Sequence, residues 1–410
     1  MKFAELANKN ILIIGRGIEG KATYKFLKRA VPSARLTVVD KQDGPHYLDG
    51  QSGYDLAIKS PGIPPQFVTI PHTTPTNIFF ANTTGRVIGV TGTKGKSTTA
   101  SLIFAILKQA NYSVKLVGNI GTPAISELAK EKKDTWYVYE LSSYQLQDIH
   151  YSPHISVIIN LYSEHMNYHG SMESYWEAKK RIAAYATASD YFVYNPSFPL
   201  LVDLAKKTDA SSVPFVDTLP FSMRTIPLLG THNIDNVRAA VTVGQILSIT
   251  PKDMRQALIH FKPLPHRLQN IGTFYGITFY DDAISTIPES TIAAIDAIGR
   301  VGTIFLGGQD RGYDFAPLVR VIDSKKIQNV VLFPDSGEAI GTLLKKLPTP
   351  PRMLTTRSMQ EAVSFAYDHT PKGSVCLLSC ASPSYSLWKN FEEKGDEFQH
   401  YVRRFGSSQK

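Results

Sequence analysis

Residues 86–110 read RVIGVTGTKGKSTTASLIFAILKQA, and no other stretch limits the possible folds as much. The β-branched start predicts a strand. The run from Lys96 predicts a helix with Ile103, Ile106, Leu107 and Ala110 on one buried face. A strand, a glycine loop and a helix in that order belong to a parallel α/β sheet, with the loop's backbone N–H groups turned inward at a helix N-terminus. Gly92 and Gly95 allow the turn, Lys96 suits the outer phosphates of a nucleotide, and the Ser97 hydroxyl suits magnesium. The common template has a glycine where this chain has Val90, but the order of elements outweighs that departure.

The chain opens with a second unit of the same kind. ILII at 11–14 runs into GRGIEG, then KATYKFLKRA, then LTVVD ending at Asp40. Gly15 allows the tight turn, Gly17 close ligand approach and Gly20 close helix–strand packing, while Asp40 could accept a bond from a ribose hydroxyl. On residues alone this also admits a nicotinamide-dependent oxidoreductase. The Ser60–Pro61–Gly62 turn after YDLAIK either lines the crevice of that sheet or is plain turn chemistry.

PHTTPTNIFFANTTG at 71–85 reads as a linker. Beyond it WYVYE (136–140) and ISVIIN (155–160) alternate with helical stretches, which predicts parallel α/β structure. Two prolines in KPLPHR, Pro263 and Pro265, mark another break. A hairpin (TFYGITFYDD), further alternation and a closing helix through WKNFEEKGDEFQHYVRRF follow. The expected fold is α/β in three domains: a Rossmann-like 1–83, a central phosphate-loop domain with a parallel sheet over 84–263, and a Rossmann-like 264–410.

The net charge of +9 over 410 residues raises nucleic acid as a partner. The longest basic run is only Lys179-Lys180-Arg181, without interleaved aromatics, and a basic enzyme of polyphosphate ligands would have the same balance. No nucleic acid and no membrane are expected. The apolar start is too short for a signal peptide, so the cytoplasm is expected. Cys376 and Cys380, roughly 13 Å apart if on one strand, are expected to be buried free thiols.

If Ser97 holds magnesium, a carboxylate from a neighbouring strand end should join it, and Glu140 ends WYVYE. SEHMNYHG adds Glu164, His165 and His169 after another strand. Lys179, read from its residues alone, is an exposed lysine, since a protonated amine cannot ligate a metal.

TGTKGKST, ELSSYQL (140–146), EHM (164–166), YWEAKKRI (175–182), GTHNIDN (230–236), LPHR (264–267), GGQDRGYDF (307–315) and WKNFEEKG (388–395) occur here in that order. Together they resemble the Mur ligases over nearly the whole chain. The resemblance implies an ATP-dependent ligase of peptidoglycan precursor synthesis, acting as a monomer. Its substrate would be UDP-N-acetylmuramoyl-L-alanine, whose carboxylate is phosphorylated and then attacked by the amine of glutamate. D-glutamate is the expected isomer, and a related branch adding L-glutamate is the alternative.

The resemblance also implies residue roles. Thr93, Lys94, Gly95, Lys96, Ser97, Thr98, Thr99, Asn236, Arg267 and Asp282 would bind ATP. Lys96, Glu140, His165 and Lys179 would be catalytic. Ser97 and Glu140 would hold one magnesium ion, and His165 with a carbamylated Lys179 a second; a carbamate supplies the oxygens that magnesium prefers. Gly17, Ile18, Glu19, Asp40, Lys41, Ser60, Pro61, Gly62 and Asn119 would bind the UDP substrate. Arg311, Ser384 and Phe391 would receive glutamate. This chain departs from the common pattern at Lys94, Ala283, Ile284, Pro383 and Ser386.

Overall fold

The computed structural model describes residues 1–162, 166–228, 230 and 232–407. The chain divides into two compact units, Met1–Ile226 with His232–Phe261, and Pro227–Thr231 with Lys262–Lys410. The α/β expectation holds in each.

The first unit carries two parallel sheets among the described residues. One contains β1 (Asn10–Ile14), β2 (Arg35–Val39), β3 (Leu56–Lys59) and β4 (His72–Thr73) in the order β2-β1-β3-β4. The other contains β5 (Arg86–Thr91), β6 (Val114–Gly118), β7 (Trp136–Glu140), β8 (Ile155–Ile158), β9 (Tyr191–Tyr194) and β10 (Ser211–Pro214), ordered β10-β9-β8-β5-β7-β6. In each sheet the strand before a glycine loop lies where the order reverses: β1 sits between β2 and β3, and β5 between β7 and β8. Ligands of open α/β sheets bind outside the carboxyl ends of strands at such points. Both glycine motifs therefore stand where the topology opens a crevice.

The helix Lys96–Gln109 is buried on more than the one expected face. Thr98, Thr99, Ala100, Ser101 and Leu102 are buried along with Ile103, Ile106 and Leu107. It is covered by the helices His232–Ile246 and Pro251–Ile259 as well as by β6 and β7.

The expected linker at 71–85 is wrong. It holds β4 and a helix, Pro75–Asn82, whose Ile78 and Phe79 are fully buried. The Thr and Pro that suggested a loop are a helix start: the Thr74 hydroxyl accepts from the Asn77 amide and Pro75 takes the first helical position. Phe79 meets the Tyr137 ring edge-on at 5.0 Å, which binds this helix to the second sheet.

The second unit has one sheet among the described residues, ordered β11-β12-β16-β13-β14-β15. Its strands are β11 (Gln269–Phe274), β12 (Ile277–Asp281), β13 (Val301–Gly307), β14 (Asn329–Phe333), β15 (Arg352–Thr355) and β16 (Val375–Leu378). The expected hairpin is the antiparallel pair β11–β12, and the other pairs are parallel. Cys376 and Cys380 are free and buried, as expected, in the core that the closing helix Phe391–Ser407 covers. Among the described residues no helix is long and apolar enough to cross a membrane.

Candidate functional site

Val90 lies inside β5, fully buried and opposite Glu140 of β7. The template glycine is not needed there because the chain leaves the strand only at Gly92. Gly92 and Gly95 have φ of +155° and +83°. A Cβ on Gly95 would lie 2.2 Å from Asn236 Oδ1, so the loop closes onto that side chain only with glycine. Buried Asn236 accepts from Thr99 Oγ1 at 3.1 Å and donates to Asn233 Oδ1 at 2.7 Å.

Asn160 braces the loop from the end of β8. Its Oδ1 accepts from the amides of Thr93 (3.0 Å) and Lys94 (2.9 Å), and its Nδ2 donates to the Lys94 carbonyl. The Lys94 side chain is exposed. Lys96 folds back so that Nζ donates to the carbonyls of Gly92 (3.0 Å) and Thr93 (2.8 Å). Ser97 sits in the first turn of the helix.

Lys179 corrects the reading made from its residues alone, because it is buried at 1% exposure. The helix Met172–Lys180 turns it toward the end of β5, where Nζ donates to the Gly92 carbonyl (2.8 Å) and Thr91 Oγ1 (3.3 Å) and lies over the Tyr175 ring. The basic run hid this, since Lys180 alongside it is half-exposed and paired with Glu177. Glu140 ends β7, buried, with Gly118 of β6 on its other side. Glu164 and His165 lie outside the described residues. His169 turns to Ser143, with Nε2 3.0 Å from Oγ, and stacks on Tyr144.

Lys96 and Lys179 line a cavity of about 340 Å³ together with Pro61, Asn119, Ser142, Ser143, Tyr144 and Tyr175. Two residues expected on the UDP-substrate side thus share one space with two expected at the reacting phosphate. Among the described residues no three His, Cys, Asp or Glu side chains gather to hold a metal.

The first glycine loop is built differently. A Cβ on Gly15 would strike Ser60 Oγ at 2.5 Å, and one on Gly20 the Gly15 carbonyl at 1.8 Å. Gly17 and Gly62 would meet nothing within 4 Å. Asp40 accepts from the amides of Arg16 (2.6 Å) and Gln42 (3.1 Å), which hold its carboxyl below the usual range. Lys41 beside it is exposed, and so is Ile18, at 79%. Burial pushes the Glu19 carboxyl up, although Gln145 Nε2 donates to it at 2.7 Å.

In the second unit Arg267 lies between two non-glycine residues of positive φ, His266 (+59°) and Leu268 (+43°). Asp281 holds that bend: its Oδ2 lies 2.7 Å from His266 Nδ1 and accepts from Gln399 Nε2 at 2.8 Å. Buried Asp282 accepts from the Leu268 amide (3.2 Å) and Ser379 Oγ (2.8 Å), and burial pushes it up to about 6. Arg311 is exposed, with Nε donating to Gln309 Oε1 at 3.2 Å. The Gln309 amide in turn bonds the Pro383 carbonyl, bringing the 307–311 loop to buried Ser384. Phe391 is partly buried on the core and edge-on to His266.

Residues 90–219 match the Mur ligase middle domain. The UDP-N-acetylmuramoylalanine--D-glutamate ligase of Ligilactobacillus salivarius is 31% identical, covering 97% of this chain and 96% of its own. That of Streptococcus pyogenes serotype M4 is 33% identical, covering 95% and 96%. The chain belongs to the Mur ligase family.

Solved structures agree on the fold of this Mur ligase. UDP-N-acetylmuramate-alanine ligase from Thermotoga maritima matches with a TM-score of 0.63 at 18% identity, over 98% of this chain and 100% of its own. A MurF ligase from Thermotoga maritima in complex with ADP matches at 0.61 and 15%, over 98% and 97%. Ser142, Ser143 and Tyr144 stood in ELSSYQL and Tyr175 in YWEAKKRI, and the S-x-x-Q of a capping box was the available signal that the first segment turns at the strand end.

Proposed function

We propose that this Mur ligase joins D-glutamate to UDP-N-acetylmuramoyl-L-alanine, with ATP converted to ADP and phosphate, through an acyl phosphate. The observation that carries the reading is the shared cavity, where Lys96 and Lys179 face Pro61 and Asn119. A carboxylate is a poor electrophile, and phosphorylation turns one of its oxygens into a leaving group. The chain's task is to hold ATP and the carboxylate in line and to balance the charge that develops.

Lys96 exchanges its loop carbonyls for the outer phosphates of ATP, with Thr93, Lys94, Gly95, Thr98 and Thr99 around them and Asn236 fixing the loop behind. Arg267 and Asp282 are read as further ATP contacts. Arg311, Ser384 and Phe391 receive glutamate, the arginine forking onto a carboxylate. Gly17 and Gly62 are compatible with the sugar-nucleotide reading: no neighbour lies within 4 Å of an added Cβ at either, which leaves room for a ligand to approach the backbone. Ile18, Glu19, Asp40, Lys41, Ser60 and Pro61 complete that side.

The donor chemistry fits magnesium in part. The Ser97 hydroxyl and Glu140 carboxylate are hard oxygen ligands for one ion, and Lys179 can serve a second, with His165, only as its carbamate. Bound magnesium would neutralise phosphate charge. The same reading places the enzyme in the cytoplasm, where ATP is available, as a monomer in peptidoglycan precursor synthesis.

The test is phosphate release by purified protein with ATP, magnesium and UDP-N-acetylmuramoyl-L-alanine, offering each glutamate isomer separately. Release only on adding D-glutamate is expected. Release with L-glutamate alone would transfer the enzyme to the L-adding branch, to which the Ala283–Ile284 and Pro383–Ser386 departures draw attention. Silence with both isomers refutes the reading.

A further inference from the structure

Lys59 ends β3 with 0% exposure, one of the largest fully buried side chains in the protein. Its Nζ donates to the Ile63 carbonyl at 2.9 Å and lies 2.7 Å from Asp148 Oδ2. The first contact closes the lysine side chain across the Ser60–Pro61–Gly62 turn, joining its start to its end. The second ties that turn to the other sheet, because Asp148 follows β7 and the short helix Ser143–Leu146. Asp148 is itself fixed, with its carbonyl accepting from Asn77 Nδ2 at 2.7 Å. Tyr168 also donates its hydroxyl to the Pro61 carbonyl at 3.2 Å and packs edge-on to Tyr144.

A buried ion pair is a weak source of stability, since desolvation offsets the attraction and apolar replacements are often as stable. What this pair does provide is register. Ser142, Ser143 and Tyr144 line the cavity with Lys96 and Lys179, and Pro61 reaches the same cavity from the turn that Lys59 spans. We propose that the Lys59–Asp148 pair is a positioning device: it holds the 60–62 turn in register with Lys96 and Lys179, so that the carboxylate of the bound sugar nucleotide meets the phosphate loop. This rests on the reading that the turn contacts the sugar nucleotide.

Lys59→Met and Asp148→Asn are each expected to lower kcat/KM for UDP-N-acetylmuramoyl-L-alanine about 100-fold, with the KM for ATP unchanged. Lys59→Arg, which keeps the charge, should recover to within about tenfold of wild type. The double variant Lys59→Met/Asp148→Met removes both charges, the buried ammonium and its half-buried partner, and should melt no lower than wild type, yet remain about 100-fold impaired. If the double variant regains full kcat/KM, the pair only avoids an unpaired charge and the proposal falls. Normal kinetics in Lys59→Met would overturn it as well. Amide hydrogen exchange gives a readout that needs no turnover: the amides of Ser60, Gly62 and Ile63 should exchange about tenfold faster in Lys59→Met. Unchanged exchange there contradicts the proposal even if the wild type should prove inactive on this sugar nucleotide, an outcome that would sink only the substrate reading.

Discussion

Gly95 and Gly17 sit in the two glycine loops for different physical reasons, and alanine at each should separate them. At Gly95 the backbone φ of +83° costs an L-residue about 1–2 kcal/mol. The new methyl would also lie 2.2 Å from Asn236 Oδ1, forcing that side chain away from Thr99 and Asn233. Losing those two buried bonds costs about 1 kcal/mol each, so Gly95→Ala should destabilise the first unit by about 3–4 kcal/mol. A thermal melt should fall by about 5–10 °C, with a raised KM for ATP. At Gly17 the helix entry is extended, φ is −68°, and no atom lies within 4 Å of an added Cβ. Gly17→Ala should leave the melt unchanged and raise the KM for the sugar nucleotide about tenfold or more. Calorimetry and phosphate-release kinetics on both variants decide the matter. Equal melting temperatures for Gly95→Ala and wild type, or a Gly17→Ala protein as destabilised as Gly95→Ala, would refute the reasoning.

Lys179→Met should keep the melt within about 3 °C, since a buried ammonium and its bonds are lost together, but abolish turnover; full activity would remove Lys179 from the catalytic set. In the second unit, burial raises the Asp282 carboxyl to about 6. The folded state therefore holds a proton that the unfolded chain releases near pH 4, and stability falls as pH rises from about 4 through 6. Asp282→Asn should flatten that part of the melting-temperature profile, and an unaltered slope would assign it to other groups.

Local order made the sheets legible from the sequence, since a strand, a glycine turn and a helix follow one another without a break at both 11–30 and 86–110. The phosphate loop was readable for the same reason, Val90 included once Gly92 is seen to begin the turn. Residues 71–85 misled because Thr-Pro-Thr-Asn signals both a loop and a capped helix, and only burial of Ile78 and Phe79 decides between them. Lys179 could not be placed from periodicity, because its burial depends on where the end of β5 lies in space. The brace around Arg267 was hidden for a similar reason: His266, Asp281 and Gln399 are distant in sequence and become partners only when the closing helix packs on β11 and β12.

Isotope transfer tests the central claim most directly. UDP-N-acetylmuramoyl-L-alanine labelled with oxygen-18 in its alanyl carboxylate would be turned over with unlabelled ATP and D-glutamate, and the released phosphate analysed by mass spectrometry. If a carboxylate oxygen attacks the outer phosphorus and later leaves with it, each phosphate should carry one labelled oxygen. Phosphate released without label, at the rate of amide formation, would contradict the account.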